Sequence, residues 1–191
     1  MEKELVLWDF DNTLFSTDPP HVYLYMKLYN RNISFGEAYI ELKSLGERKL
    51  IDLSRELLEL KNFQEIQPVS WVMDVVKELS PNYRQQVLTA RPNCQDEYIA
   101  PLLDKHFSPY IQKINYLGSL DPKTDLAFNK LEGLVLIDDR MESFGGIEKS
   151  SGFGILYDPN HEYKRIDNPR IFIASDMREI PNIIKYLPRM S

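Results

Sequence analysis

The run Leu5-Val6-Leu7-Trp8 is apolar without a break and ends in Asp9-Phe10-Asp11, two carboxylates one residue apart. A charge at the end of a strand buried in a sheet is costly unless it meets a cation, a ligand or a reaction. A second run, Gly133-Leu134-Val135-Leu136-Ile137, ends the same way in Asp138-Asp139. If both runs are strands of one parallel sheet, four carboxylates gather at its carboxyl edge, where open α/β sheets bind their ligands. Oxygen donors clustered in this way suit a hard divalent cation with chemistry beside it.

Two further segments end strands or open helices, Val87-Leu88-Thr89-Ala90-Arg91 and Asp121-Pro122-Lys123. They add a hydroxyl and two cations. Lys123 precedes Asp138 by 15 positions (138 minus 123), room for one short helix and one strand; Lys113 and Lys130 are the alternative lysines. Plainer readings of the acids fit less well. A helix cap needs one acid, not two after a continuous apolar strand. A calcium loop starting at Asp9 would need glycine and then an acid where the chain has Leu14 and Pro20. A Walker B pair needs a preceding GxxxxGK segment, and the sequence has none. His21, His106 and His161 lack ligand spacing, and Cys94, without a partner histidine, reads as inert.

The elements that must hold these groups alternate. Strands are expected at 5–8, 85–89, 111–117, 134–137, 154–157 and 171–174, with helices over 69–79, 95–107, 123–131 and 180–187 and a turn over 15–20. Such alternation implies right-handed crossovers and an α/β class, a Rossmann-like, doubly wound, mostly parallel sheet. One block breaks the rhythm. From 21 to 62 the apolar residues (Tyr23, Met26, Leu28 and Tyr29, then Leu42, Leu45, Leu50, Ile51, Leu53, Leu57, Leu58 and Leu60) recur at helical spacing, with a break at 32–36. The chain thus divides into an α/β core, 1–15 and 68–191, and a small α-helical cap, 16–67, inserted after strand one. A cap there would lie over the crevice as a lid, and Tyr23, Tyr25 or Tyr29 could stack on a base.

The order and spacing of these four segments resemble the haloacid dehalogenase-like superfamily, mostly magnesium-dependent phosphohydrolases. The resemblance covers residues 4–18 and 68–157 and does not reach the detail of the helical block. It implies that Asp9 is the nucleophile, forming an aspartyl-phosphate, and that Asp11 is the acid and base of the two half-reactions. It implies Mg2+ held by Asp9, the backbone carbonyl of Asp11 and Asp138, with Asp139 holding a metal-bound water or orienting the site. Thr89 and Lys123 would contact the transferring phosphoryl group, the lysine bridging it to the nucleophile. Thr13, Ala90 and Arg91 are further candidate substrate contacts, and Arg91 reads equally well as the ion-pair partner of a nearby acid.

At 191 residues the chain can bury one good core with an appendage. Its net charge of -6 argues against long nucleic acid as a partner, because counterion release needs a basic face. A single nucleotide remains open. No apolar run is long enough to span a membrane. One cysteine excludes an internal disulfide, and the start of the chain does not resemble a signal peptide, so a cytoplasmic setting is expected. The expected activity is hydrolysis of a small phosphomonoester, a nucleoside monophosphate first. The alternatives are a sugar phosphate, a polynucleotide 3'-phosphate or, in a different class, a phospho-accepting signalling module without turnover.

Overall fold

The computed structural model describes residues 3–45 and 66–188, with the isolated positions 49 and 56. The periodic leucines expected to be helical over 50–60 lie outside the described residues.

Six strands form one all-parallel sheet: β1 (Leu5–Trp8), β2 (Arg84–Thr89), β3 (Ile114–Tyr116), β4 (Gly133–Asp138), β5 (Phe153–Tyr157) and β6 (Ile171–Ala174). Their spatial order is β3-β2-β1-β4-β5-β6, so the chain winds outward from β1 in one direction and from β4 in the other. The doubly wound class is as expected. β1 is apolar at every position because both faces of the sheet are covered. Val6 and Trp8 pack on one face with Val135, Ile137, Val76 and Leu102. Leu5 and Leu7 pack on the other with Leu136, Phe128, Phe144 and Ile147. Period-two alternation and two-sided burial are thus both satisfied by one continuous hydrophobic run.

The helices are α1 (Asp18–Leu28), α2 (Phe35–Lys43), α3 (Val72–Leu79), α4 (Asp96–Phe107) and α5 (Ile180–Lys185) among the described residues. Ser34 opens α2 with a reciprocal capping box to Glu37, which explains the break at 32–36. Three boundaries differ from the sequence pattern. α1 begins inside the expected turn, since Pro19 and Pro20 fall in the first helical turn, where fixed φ and a missing N–H cost nothing. The strand expected over 111–117 shrinks to β3, because Ile111 N–H turns back to the Phe107 carbonyl. The segment Asp125–Lys130 is a wide helical turn of the π type, not a regular α-helix. No helix among the described residues is long and apolar enough to cross a membrane.

A buried polar link braces the last residue of β1. Trp8 Nε1 donates to Gln85 Oε1 (3.0 Å), and Gln85 Nε2 donates to the Val76 carbonyl (2.8 Å), all out of solvent. Gln85→Leu would leave the buried indole N–H unpaired, while the Val76 carbonyl keeps the Ser80 N–H (3.2 Å). A loss of about 1–3 kcal/mol is expected, read as a lower midpoint in urea with an unchanged slope. At the start of α3, Trp71 adopts a left-handed backbone (φ 67°) and stays half exposed, with the Arg178 guanidinium 4.9 Å from its ring.

Candidate active site

The strand order reverses between β1 and β4, and the acids stand at that switch point. Trp8 pairs with Ile137, and the Asp9 N–H continues the ladder to the Ile137 carbonyl (2.8 Å). Register therefore sets Asp9, one residue past β1, beside Asp138, the last residue of β4. Carboxylate oxygens of Asp9, Asp138 and Asp139 all lie within 4.8 Å of one another.

Lys123 closes this group from the loop after β3. Its Nζ donates to Asp9 Oδ1 (2.5 Å) and to Asp138 Oδ2 (2.7 Å), and all three side chains are buried. The loop is pinned to the segment after β4: Lys123 N–H donates to the Ser143 carbonyl (2.9 Å), and Thr124 Oγ1 to the Gly145 carbonyl (2.6 Å). The other lysines lie elsewhere. Lys113 is exposed beside β3, and Lys130 pairs with Asp125 at the surface.

One ammonium faces three close carboxylates, so the cluster is short of positive charge. Burial, reinforced by Asp138 and Asp11 and opposed by Lys123, pushes the Asp9 carboxyl up to about 7. Burial works against the charge on Lys123 too, but Asp138 and Asp9 override it and hold the ammonium above its ordinary range. Hard, converging oxygen donors with excess negative charge fit a divalent cation such as Mg2+. A pH dependence follows. Asp9 is raised above its unfolded value of 3.8, so the metal-free fold loses stability as pH climbs from about 4 through 7. Below about 7 a metal must displace that proton, so Mg2+ affinity is expected to fall up to tenfold per pH unit there. Calorimetric titration near pH 5.5 and pH 8 checks this, and equal affinities would contradict it.

Asp11 behaves differently. Its carboxylate takes two hydrogen bonds from Arg91, Nη2 to Oδ1 (2.6 Å) and Nε to Oδ2 (2.9 Å). Burial opposes its charge, but Arg91 outweighs this and holds the carboxyl below the usual range. Of the two readings of Arg91, the structure displays the ion pair. Thr89 ends β2 fully buried, and its Oγ1 accepts from the Arg91 N–H (3.2 Å), leaving the hydroxyl hydrogen to donate. Ala90 is half buried in the same turn. Thr13 is fully buried, and its hydroxyl has no hydrogen-bond partner.

Two residues absent from the sequence-based site also shape it. Asn12 takes the left-handed backbone (φ 55°), and its Oδ1 accepts from Thr17 N–H (3.1 Å), Thr17 Oγ1 (3.2 Å) and Asp18 N–H (3.0 Å). It turns the chain sharply after the acids, and an Asp-Asn pair after a strand is the local signal for such a turn. Gln95, buried, accepts from Arg91 Nη1 (3.0 Å). Nothing in its sequence context announces that contact.

A cleft of about 380 Å³ opens beside Asp139, lined by Asn12, Asp18, Val69, Tyr157 and Tyr163 among others. Segments far apart in sequence meet along its rim. Ser16 N–H donates to the Gln67 carbonyl (3.1 Å), and Val69 N–H to the Leu14 carbonyl (2.9 Å). Of the three candidate stacking tyrosines, Tyr25 is buried and donates to Glu41, while Tyr23 and Tyr29 are exposed.

No protein-family model and no curated protein matches the chain. Solved structures do. A predicted phosphatase from Clostridium acetobutylicum aligns over 98% of this chain and 100% of its own, with 18% identity and a TM-score of 0.69. A HAD phosphatase from Thermococcus onnurineus aligns over 95% and 97%, with 21% identity and a TM-score of 0.65. A protein of Bacillus subtilis named as a HAD-hydrolase, solved bound to magnesium, aligns over 96% and 99%, with 13% identity and a TM-score of 0.65. The chain shares the haloacid dehalogenase-like fold of these structures.

Proposed function

We propose that the protein is a magnesium-dependent phosphomonoesterase working through an aspartyl-phosphate on Asp9. The observation that carries this reading is the Asp9–Lys123–Asp138 bridge at the switch point, with the Asp139 carboxylate within 4.8 Å of both acids. Mg2+ held by Asp9, Asp138 and the Asp11 backbone carbonyl, with Asp139 beside them, would neutralise the phosphoryl oxygens and the acids around them. An Asp9 carboxylate oxygen attacks phosphorus in line, and the bond from phosphorus to the ester oxygen breaks. Asp11, which its pair with Arg91 keeps ionised at rest, would first take up a proton and then give it to the departing oxygen. It then takes a proton from the water that attacks the phosphorus of the acyl phosphate, releasing phosphate and regenerating Asp9. Lys123 and the Thr89 hydroxyl hold charge on the transferring group.

Residues 16–67 serve as a cap over the core formed by 1–15 and 68–191. The pairing of Ser16 with Gln67 supports these limits, because departing and returning segments meet there. A cleft of about 380 Å³ matches a small substrate, so a nucleoside monophosphate or sugar phosphate ranks first. A polynucleotide 3'-phosphate is disfavoured by the net charge of -6. The single cysteine keeps the cytoplasm as the expected setting.

Phosphate release from a panel of phosphorylated metabolites, with and without Mg2+, tests the reading. Magnesium-dependent turnover inhibited by beryllofluoride is expected. A chain that becomes phosphorylated on Asp9 and stays so for minutes without turnover would instead be a signalling module.

A further inference from the structure

The mechanism above leaves Arg91 unused, although it is among the most completely engaged side chains near the acids. Its residual exposure is 6%. Nε and Nη2 grip both oxygens of Asp11, Nη1 is held by the buried Gln95, and the guanidinium carbon lies 5.6 Å from the centre of the Phe10 ring. Its own backbone N–H is tied to the Thr89 hydroxyl. A guanidinium engaged at all three nitrogens by protein groups has its planar fork committed to one carboxylate and not to a phosphoryl group.

We infer that Arg91 is a positioning residue for Asp11 and not a substrate contact, with Gln95 fixing the arginine in turn. The inference rests on the phosphatase reading and names how its acid–base group is aimed. Asp11 lies beyond the apolar strand, on the turn that Asn12 makes, and is the more exposed of the two motif acids, with 30% of its side chain open to solvent. Left alone it would sample several rotamers. A two-point grip on both oxygens removes that freedom and fixes the plane of the carboxylate, and proton transfer is sensitive to misplacement of about 1 Å. Phe10 beneath the guanidinium and Gln95 at its far end keep the arginine from following a substrate out of place.

The test is a double-mutant cycle on p-nitrophenyl phosphate with saturating Mg2+, using Arg91→Ala, Asp11→Asn and the pair. A positioning role predicts that Arg91→Ala lowers kcat by on the order of 10²-fold with KM shifted less than about threefold. In the Asp11→Asn background the same change is expected to cost less than about threefold, since the two residues act as one unit. Acid-quenched Arg91→Ala enzyme should hold more phospho-Asp9 than wild type at steady state, because water activation is the slowed step. Added guanidinium should restore turnover only where Asp11 is present. Gln95→Leu, which leaves the Asp11 contact in place, is a milder variant expected to give the same split at smaller amplitude, and it carries the test if Arg91→Ala does not fold. A rise in KM of tenfold or more in both backgrounds would show that Arg91 binds the phosphoryl group and would overturn the inference. Wild-type chain without activity on any ester would instead sink the phosphatase reading, and the inference with it.

Discussion

Asp9→Asn is expected to abolish magnesium-dependent phosphate release, by on the order of 10⁴ or more, because the amide cannot form the acyl phosphate. The same change is expected to leave the metal-free protein as stable as wild type or more so. Asp9 is a buried acid pressed by Asp138 and Asp11 as well as by burial itself, which is why its carboxyl is pushed up to about 7. Removing that charge relieves a cost that the fold carries for the chemistry, a common exchange of stability for function. Steady-state assay beside thermal unfolding in a chelator checks both halves. Activity retained within tenfold would remove Asp9 from the nucleophile's role. A drop in the metal-free melting temperature of several degrees would show that the bridge to Lys123 outweighs the repulsion.

Lys123→Met carries the opposite signature. It deletes the shared partner of Asp9 and Asp138, both almost wholly buried, and leaves two carboxylates facing each other. Breaking a buried charge pair in this way costs about 3–5 kcal/mol. For a chain of this size that is a fall in melting temperature of roughly 6–20 °C. Mg2+ should recover more stability in this variant than in wild type, since the cation then supplies charge that the lysine no longer does. Turnover should fall by on the order of 10² or more through loss of charge stabilisation at the transferring group. At pH 8, above the Asp9 value of about 7, a variant as stable as wild type without metal would overturn the electrostatic account.

The sheet was legible in the sequence wherever a strand is covered on both faces. β1, β4 and β5 are short apolar runs bounded by turn residues, and their limits agree with the pattern to within a residue. β3 was overextended because it is an edge strand of three residues, where the turn after α4 competes for its first positions. The acids of β1 and β4 were legible for the same reason as the strands, since a charge ending a buried run stands out. The lysine was not settled. Choosing among Lys113, Lys123 and Lys130 required the path of the loop after β3, which is fixed by Ser143 and Gly145, some 20 positions downstream. Arg91 shows the limit most clearly. Its partner Asp11 is 80 positions away, and periodicity or spacing carries no information about a contact of that range.

The protein's two tryptophans sit in opposite surroundings. Trp8 directly precedes Asp9 and is sealed in the sheet with its indole bound to Gln85, whereas Trp71 is half open just beyond the cleft residues Val69 and Ser70. Their emission should therefore separate cleanly, a blue component inaccessible to acrylamide and a red one that the quencher reaches. The first would report events at the carboxylate edge of the sheet and the second those at the start of α3 beside Arg178. Native fluorescence could then follow both in the same cuvette, without any attached dye.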